Sequence, residues 1–278
     1  AGSVSNSIVG GGVFSVDWAP TGLRLLVGQG SSPYLNIFDY TPNLAVPANA
    51  IFTNIVSSMA SGPSAAVRSV QWYNNGTCFL AGQDAGSGNV VHIYNYNSND
   101  GSISEISGVN QAGSAGGARW FPNYSYTAFA NGSTLTVQAL STGFSCSTLG
   151  CCSQFNTSAT TYTASNTGVV NSVDSFKAPS GSSWVVSGRT ASSSQLRLNN
   201  FTGSSIPSLA AVSIGSAAVN TVRFHPTLPF VAVGATGNNT NSYSQLRVYN
   251  VSGNNFSLGG SILYTGGALT RSNVIAVA

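Results

Sequence analysis

Hydrophobic and polar residues alternate in short runs along this chain, and the runs follow a fixed order. Residues 13–30, VFSVDWAPTGLRLLVGQG, hold an alternating stretch, an Ala-Pro-Thr-Gly turn and a second, more apolar stretch. A period of two with Val, Ile, Phe and Tyr enrichment, bounded by Gly, Asn and Pro, predicts β-strands. The unit returns as VRSVQWYNNGTCFLAGQ from Val67, AGGARWFPNYSYTAFANG from Ala115, VNSVDSFKAPSGSSWVVSG from Val170 and VNTVRFHPTLPFVAVGATG from Val219. After each unit comes a polar loop and a third strand: YLNIFDY, VVHIYNY, STLTVQAL, QLRLNNF and QLRVYNV. A less regular segment follows, with room for a fourth strand, as in NFSLGGSILYT at 255–265. No stretch carries a convincing helical period.

Four antiparallel strands per repeat of roughly 50 residues make a propeller blade. Five repeats predict an all-β chain, a single five-bladed β-propeller over 1–278. The expected blades are 13–66, 67–114, 115–169, 170–218 and 219–267, with 1–12 and 268–278 left over as terminal strand segments. The rhythm V-x-S-V-x-W, P-x-G, L-x-V-G, L-x-I-F-D resembles WD40-type repeats over residues 13–270. That resemblance implies blade architecture. The Gly-His and Trp-Asp dipeptides of the family are absent, with IFDY, IYNY and VYNV in place of the latter. The family's usual role as an intracellular interaction platform is therefore not carried over with the fold.

Composition changes the picture most through what it lacks. Only 5% of the 278 residues are charged, against about 25% in an ordinary soluble protein. The net charge of +3 comes from residues read as scattered, with no basic stripe for nucleic acid or an anionic membrane. Apolar runs such as FVAVGA at 230–235 are strand-sized, so no membrane insertion is expected. The start at Ala1 suits a mature chain whose signal peptide has been removed, and equally a fragment.

Four cysteines, Cys78, Cys146, Cys151 and Cys152, have the wrong spacing for a zinc site and read as disulfide candidates, Cys78 bridging to one of the other three. Eight Asn-x-Ser/Thr sequons, at Asn75, Asn123, Asn131, Asn156, Asn200, Asn238, Asn250 and Asn255, are candidates for N-glycosylation, most of them in predicted turns. On the first strand of each blade, Asp17, Gln71, Arg119, Asp174 and Arg223 are equivalent. Arranged around a ring, Asp17, Arg119, Asp174 and Arg223 become neighbours of opposite sign, which predicts interblade ion pairs.

Catalytic candidates are few. Asp17 and Asp174 are the one carboxylate pair that a five-bladed glycosidase could use, and neighbouring arginines would hold them in the wrong protonation state for a general acid. His92 and His225 belong to no Ser-His-Asp, metal or phosphate-loop pattern. Tyr34, Tyr73, Tyr124, Tyr162, Tyr243 and Tyr264 lie in turn-rich stretches where rings could stack on sugars or simply pack. No catalytic residue, cofactor or metal is expected. The sequence thus predicts a secreted, extracellular or cell-surface structural glycoprotein. Its spare terminal strands would pair between copies to make a homo-polymeric fibre, coat or appendage. The alternative is a lectin-like propeller, with a glycosidase as the third reading.

Overall fold

The computed structural model describes residues 12–42, 51–56, 58–59, 61–84, 88–111, 113–141, 154–156, 158–165, 168–215, 218–236 and 246–262. Among these, every regular element is a β-strand. The first blade is the antiparallel sheet of β1 (Val13–Trp18), β2 (Arg24–Gln29), β3 (Leu35–Thr41) and β4 (Ile51–Asn54). A two-residue strand in the connecting segment, β5 (Ser58–Met59), precedes the second blade of β6 (Val67–Trp72), β7 (Cys78–Gln83), β8 (Val91–Asn97) and β9 (Ser102–Val109). The third blade is β10 (Ala118–Trp120), β11 (Tyr126–Asn131), β12 (Thr134–Ala139) and β13 (Tyr162–Ser165). The fourth is β14 (Val169–Lys177), β15 (Ser183–Thr190), β16 (Leu196–Phe201) and β17 (Ser208–Val212). The fifth is β18 (Val219–Phe224), β19 (Phe230–Ala235), β20 (Leu246–Ser252) and β21 (Asn255–Ile262). This is the five-bladed propeller fold of four-stranded antiparallel blades that the repeat predicts.

One sheet departs from the expectation. β5 runs parallel to β9, with Ser58 opposite Ser102 and Met59 opposite Ile103, so the second blade has five strands. The outer strand of a blade leaves a row of unpaired main-chain groups, and a passing connection that adopts extended geometry covers it. Repeat periodicity carries no trace of this, because β5 belongs to the connection between repeats.

The local chemistry of each repeat explains its shape. In the first four blades the turn between first and second strands contains a left-handed residue, which is Gly22 (φ 72°), Gly76 (φ 69°) and Gly181 (φ 85°) in blades one, two and four. Tyr124 takes that conformation in blade three (φ 54°). The first strand of blades one, two, four and five carries a register irregularity just before its Ser or Thr: Val13/Ser15, Val67/Ser69, Val170/Ser172 and Val219/Thr221. Such a bulge re-aims the side chains around it. The extra residue, Arg68, Asn171 or Asn220, reaches sideways to the far end of the second strand region, meeting Asp84, Thr190 and Thr236 respectively.

The chain divides into two compact units, Ala1–Ala115 with Leu140–Phe155, and Gly116–Ala139 with Asn156–Ala278. In the first, Leu26, Leu35 and Ile37 of blade one pack with Val67, Val70, Trp72, Phe79 and Tyr94 of blade two. In the second, one core joins Leu135 and Val137 of blade three to Val173 and Val185 of blade four. Another joins Val186, Leu196 and Leu198 to Val219, Val222 and Val233 of blade five. Second strands are apolar on both faces because both are covered, the pattern that LLVG, FLAG and FVAVG display in the sequence.

Candidate functional site

Adjacent blades are fastened by first-strand side chains that accept main-chain N–H groups from the next blade. In the first unit, Ser15 Oγ accepts from Val70 N–H at 3.1 Å and Asp17 Oδ2 accepts from Trp72 N–H at 2.6 Å. In the second, Ser172 Oγ accepts from Val222 N–H at 3.2 Å and Asp174 Oδ2 accepts from Phe224 N–H at 2.7 Å. The Ser-Val-Asp triplets of blades one and four thus do the same work. Glycine permits the close approach: a Cβ on Gly28 would lie 2.7 Å from Val67 Cγ1, and one on Gly188 would lie 2.3 Å from Val219 Cγ1. Blade three has Gly116 and Gly117 instead of a Ser, and blade four's backbone comes up against them; a Cβ on Gly116 would sit 2.8 Å from the Asn171 carbonyl oxygen. There Ser175 Oγ donates to the Trp120 carbonyl.

The four residues expected in ion pairs are therefore placed as follows. Asp174 lies with Oδ1 3.8 Å from Arg223 Nη1, while its shorter contacts are the N–H groups of Ser175 and Phe224. Asp17 caps Trp72 N–H, and Arg119 Nη1 donates to the Ala118 carbonyl at 3.1 Å. Asp17 and Asp174 each hold a neighbouring blade's main chain, a structural assignment for the two carboxylates that a glycosidase would have needed.

Beside the fastened pair of blades in the first unit lies a cleft of about 360 Å³. Its walls are the segment Ser32–Asn36, Asn54 and Val56 from the end of β4, and Met59, Gly62 and Pro63 from the connection that carries β5. Two buried glutamines at the ends of equivalent second strands shape it. Gln29 Nε2 donates to the carbonyls of Ser31 and Pro33, fixing one wall. Gln83 bonds Ser64 twice, through Oε1 to its N–H and through Nε2 to its hydroxyl, and so fixes the segment next to Pro63. Inside, Asn54 Nδ2 donates to Asn36 Oδ1 at 2.9 Å, and Asn54 Oδ1 accepts from Val56 N–H. The lining combines apolar surface (Pro33, Tyr34, Leu35, Val56, Met59) with two carboxamides and contains no carboxylate, amine, guanidinium, imidazole or thiol. Such a surface can hold an apolar segment and bond its main chain.

Several titratable groups elsewhere are engaged in structure. His92 Nδ1 lies 2.9 Å from Glu105 Oε1, which also accepts from Asn89 Nδ2. Burial, with the Glu105 charge as the lesser cause, pushes the Tyr94 phenol well above its ordinary value. Arg24 bonds Asp39 and Arg68 bonds Asp84. His225 Nδ1 accepts from Thr227 and Leu228 N–H at 3.2 Å, holding its turn. Among the described residues no group of three His, Cys, Asp or Glu side chains could hold a metal ion.

Cys78 is fully buried at the start of β7 and is disulfide-bonded; Cys146, Cys151 and Cys152 lie outside the described residues. Of the sequons, Asn75 and Asn123 occupy turns and Asn156 a connection, while Asn131, Asn200, Asn250 and Asn255 lie within strands. Asn238, Tyr243, Tyr264 and the terminal segments apart from Gly12 fall outside the described residues. Tyr34 lines the cleft, and Tyr162 packs edge-on against Phe201, with ring centroids 5.3 Å apart.

No protein-family model and no curated protein sequence matches the chain. Solved structures do. Sqt1 from Chaetomium thermophilum matches at TM-score 0.58 and 17% identity, over 88% of this chain. A second structure, of the same protein bound to the N-terminus of the ribosomal protein L10, matches at 0.57 and 16%, again over 88% of this chain. This chain spans about three fifths of the Sqt1 chains it matches (57% and 60%). A chain of the Mitotic Checkpoint Complex matches at TM-score 0.63 and 15% identity, over 93% of this chain and 69% of that one. The chain is a WD40-like propeller in fold.

These likenesses correct the functional expectations drawn from composition. The similar propellers occur in complexes with other proteins, Sqt1 bound to the N-terminus of the ribosomal protein L10 and a chain of the Mitotic Checkpoint Complex. The secreted fibre, coat or appendage subunit, the homo-polymer through terminal strands and the extracellular or cell-surface location are withdrawn on that finding, and the lectin-like alternative with them. The physical reason for the error is plain: low charge and abundant Ser, Thr and Asn describe a surface and do not say what meets it.

The cleft itself escaped the sequence reading because β5 and the Gly62–Pro63 segment lie between repeats. The Gly-Gln dipeptides closing VGQ and LAGQ were its only signal.

Proposed function

We propose that this chain is a non-catalytic protein-interaction propeller that holds an extended segment of another protein in the cleft between blades one and two. The observation that carries the reading is the lining of that cleft, where Tyr34, Val56 and Met59 offer apolar contact and Asn36 and Asn54 offer carboxamides, with no carboxylate, amine, guanidinium, imidazole or thiol among them. An extended peptide presents alternating side chains and main-chain amides, and a wall of this kind meets both. Structurally similar propellers have been captured with the N-terminus of a ribosomal protein and within a checkpoint assembly, which supports a role in protein recognition.

Selection from a random displayed-peptide library on the intact chain tests this. Enriched peptides are expected to bind the wild type and to lose roughly tenfold in affinity to Tyr34→Ala and Met59→Ala. A library that yields no binder, or binders indifferent to both substitutions, would overturn the cleft as the recognition site.

A further inference from the structure

The two units differ sharply in charge. Ala1–Ala115 with Leu140–Phe155 holds five carboxylates and two arginines, whereas the other unit holds seven basic residues and a single side-chain carboxylate, Asp174. Asp174 is already engaged by the N–H groups of Ser175 and Phe224, with Arg223 beside it. A chain with a modest total charge therefore conceals one strongly basic half.

Within that half, two of the seven basic residues share one face of blade four. Arg197 on β16 stands opposite Ser187 on β15, and Arg189 lies two residues further along the same face of β15. Arg189 is fully buried, its Nη2 donating to the Ser194 carbonyl. Burial first, and the Arg197 charge second, bring its guanidinium down to about 10. Ser187 is also fully buried, and its hydroxyl has no hydrogen-bond partner in the protein. Arg197 is half-buried; its Nε is enclosed without a partner, and the side chain as a whole keeps access to solvent. Two guanidinium groups that repel each other, next to an unsatisfied hydroxyl, are stabilised by an anion, and a planar carboxylate matches the guanidinium fork.

We infer that Arg197, backed by Ser187 and Arg189, anchors a carboxylate from an acidic segment of the partner protein. This deepens the protein-interaction reading and rests on it: the cleft of the first unit holds apolar sequence, and the basic second unit selects acidic sequence. Charge complementarity of this sort sets partner choice and association rate.

The test uses the intact chain and a fluorescein-labelled decapeptide rich in Glu, with its Gln-for-Glu counterpart, followed by fluorescence anisotropy. The Glu peptide is expected to bind at least tenfold more tightly than the Gln peptide and to weaken steeply with added salt. Arg197→Gln should lose roughly tenfold, and Arg197→Lys, which keeps charge and packing, severalfold, because one ammonium cannot reproduce the fork. Equal affinity for the two peptides, or unchanged affinity in both Arg197 variants, would overturn the proposal. Library selection separates the two readings. Cleft-dependent binders without acidic residues overturn the acidic anchor alone, whereas the absence of any binder overturns the cleft reading and leaves the Glu peptide to judge the anchor.

Discussion

Asp174 Oδ2 accepts the main-chain N–H of Phe224 at 2.7 Å, so a carboxylate of the fourth blade satisfies the backbone of the fifth. Asp17 does the same for Trp72 at 2.6 Å. Replacing either by Ala leaves an N–H without its acceptor at a blade junction. Asp174→Ala and Asp17→Ala are each expected to cost about 2–3 kcal/mol, and the Asn variants about 1, since an amide oxygen still accepts. Urea unfolding of the four variants checks this.

Gly188 faces Val219 across the same junction, where an added Cβ would lie 2.3 Å from Cγ1. Overpacking predicts that Gly188→Ala destabilises by about 1–3 kcal/mol. Val219 is fully buried, so Val219→Ala alone also destabilises. Made together, the two changes should cost less than their sum, because the smaller side chain frees the space that the new methyl needs. A double-mutant cycle in denaturant measures the coupling.

Tyr94 supplies the pH prediction. Its phenol is raised above the ordinary value near 10, chiefly by burial. In the unfolded chain it ionises at about 10. Folding stability from this group is therefore complete below pH 10 and falls as pH rises toward the folded value, since the unfolded state then binds fewer protons. Ultraviolet titration should show Tyr94 silent while accessible tyrosines ionise, and Tyr94→Phe should remove one late-titrating phenol without disturbing the early ones.

Gln29 ties the cleft wall together through the carbonyls of Ser31 and Pro33. Gln29→Ala should cost about 1–3 kcal/mol through those lost bonds. It should also weaken a cleft-binding peptide while leaving binding of the Glu peptide at Arg197 unchanged, a comparison made by anisotropy on the same protein preparation.

Much of the fold is legible in the sequence because strand alternation and a repeat near 50 residues are both local signals. Val13, Val67 and Val219 open first strands as the repeat requires, and LRLNNF and LRVYNV lie on third strands β16 and β20. Relationships between repeats are less legible. Asp17 and Asp174 read as members of charge pairs, because side-chain sign is visible in a sequence and main-chain N–H groups are not. Asp174 lies 3.8 Å from Arg223, and both aspartates also accept main-chain N–H groups. The segregation of charge needed only a count taken along the chain, in which Asp174 is the single acidic residue after position 105. The cleft was beyond reach, since Met59, Gly62 and Pro63 come from a connection whose path no periodicity sets.

The most direct test of the central claim is amide hydrogen exchange on the intact chain, with and without a peptide obtained by library selection. The account predicts slowed exchange across Tyr34–Asn36 and at Asn54 and Val56 when peptide is bound. Unchanged exchange at these residues, with protection confined to other parts of the protein, would contradict it.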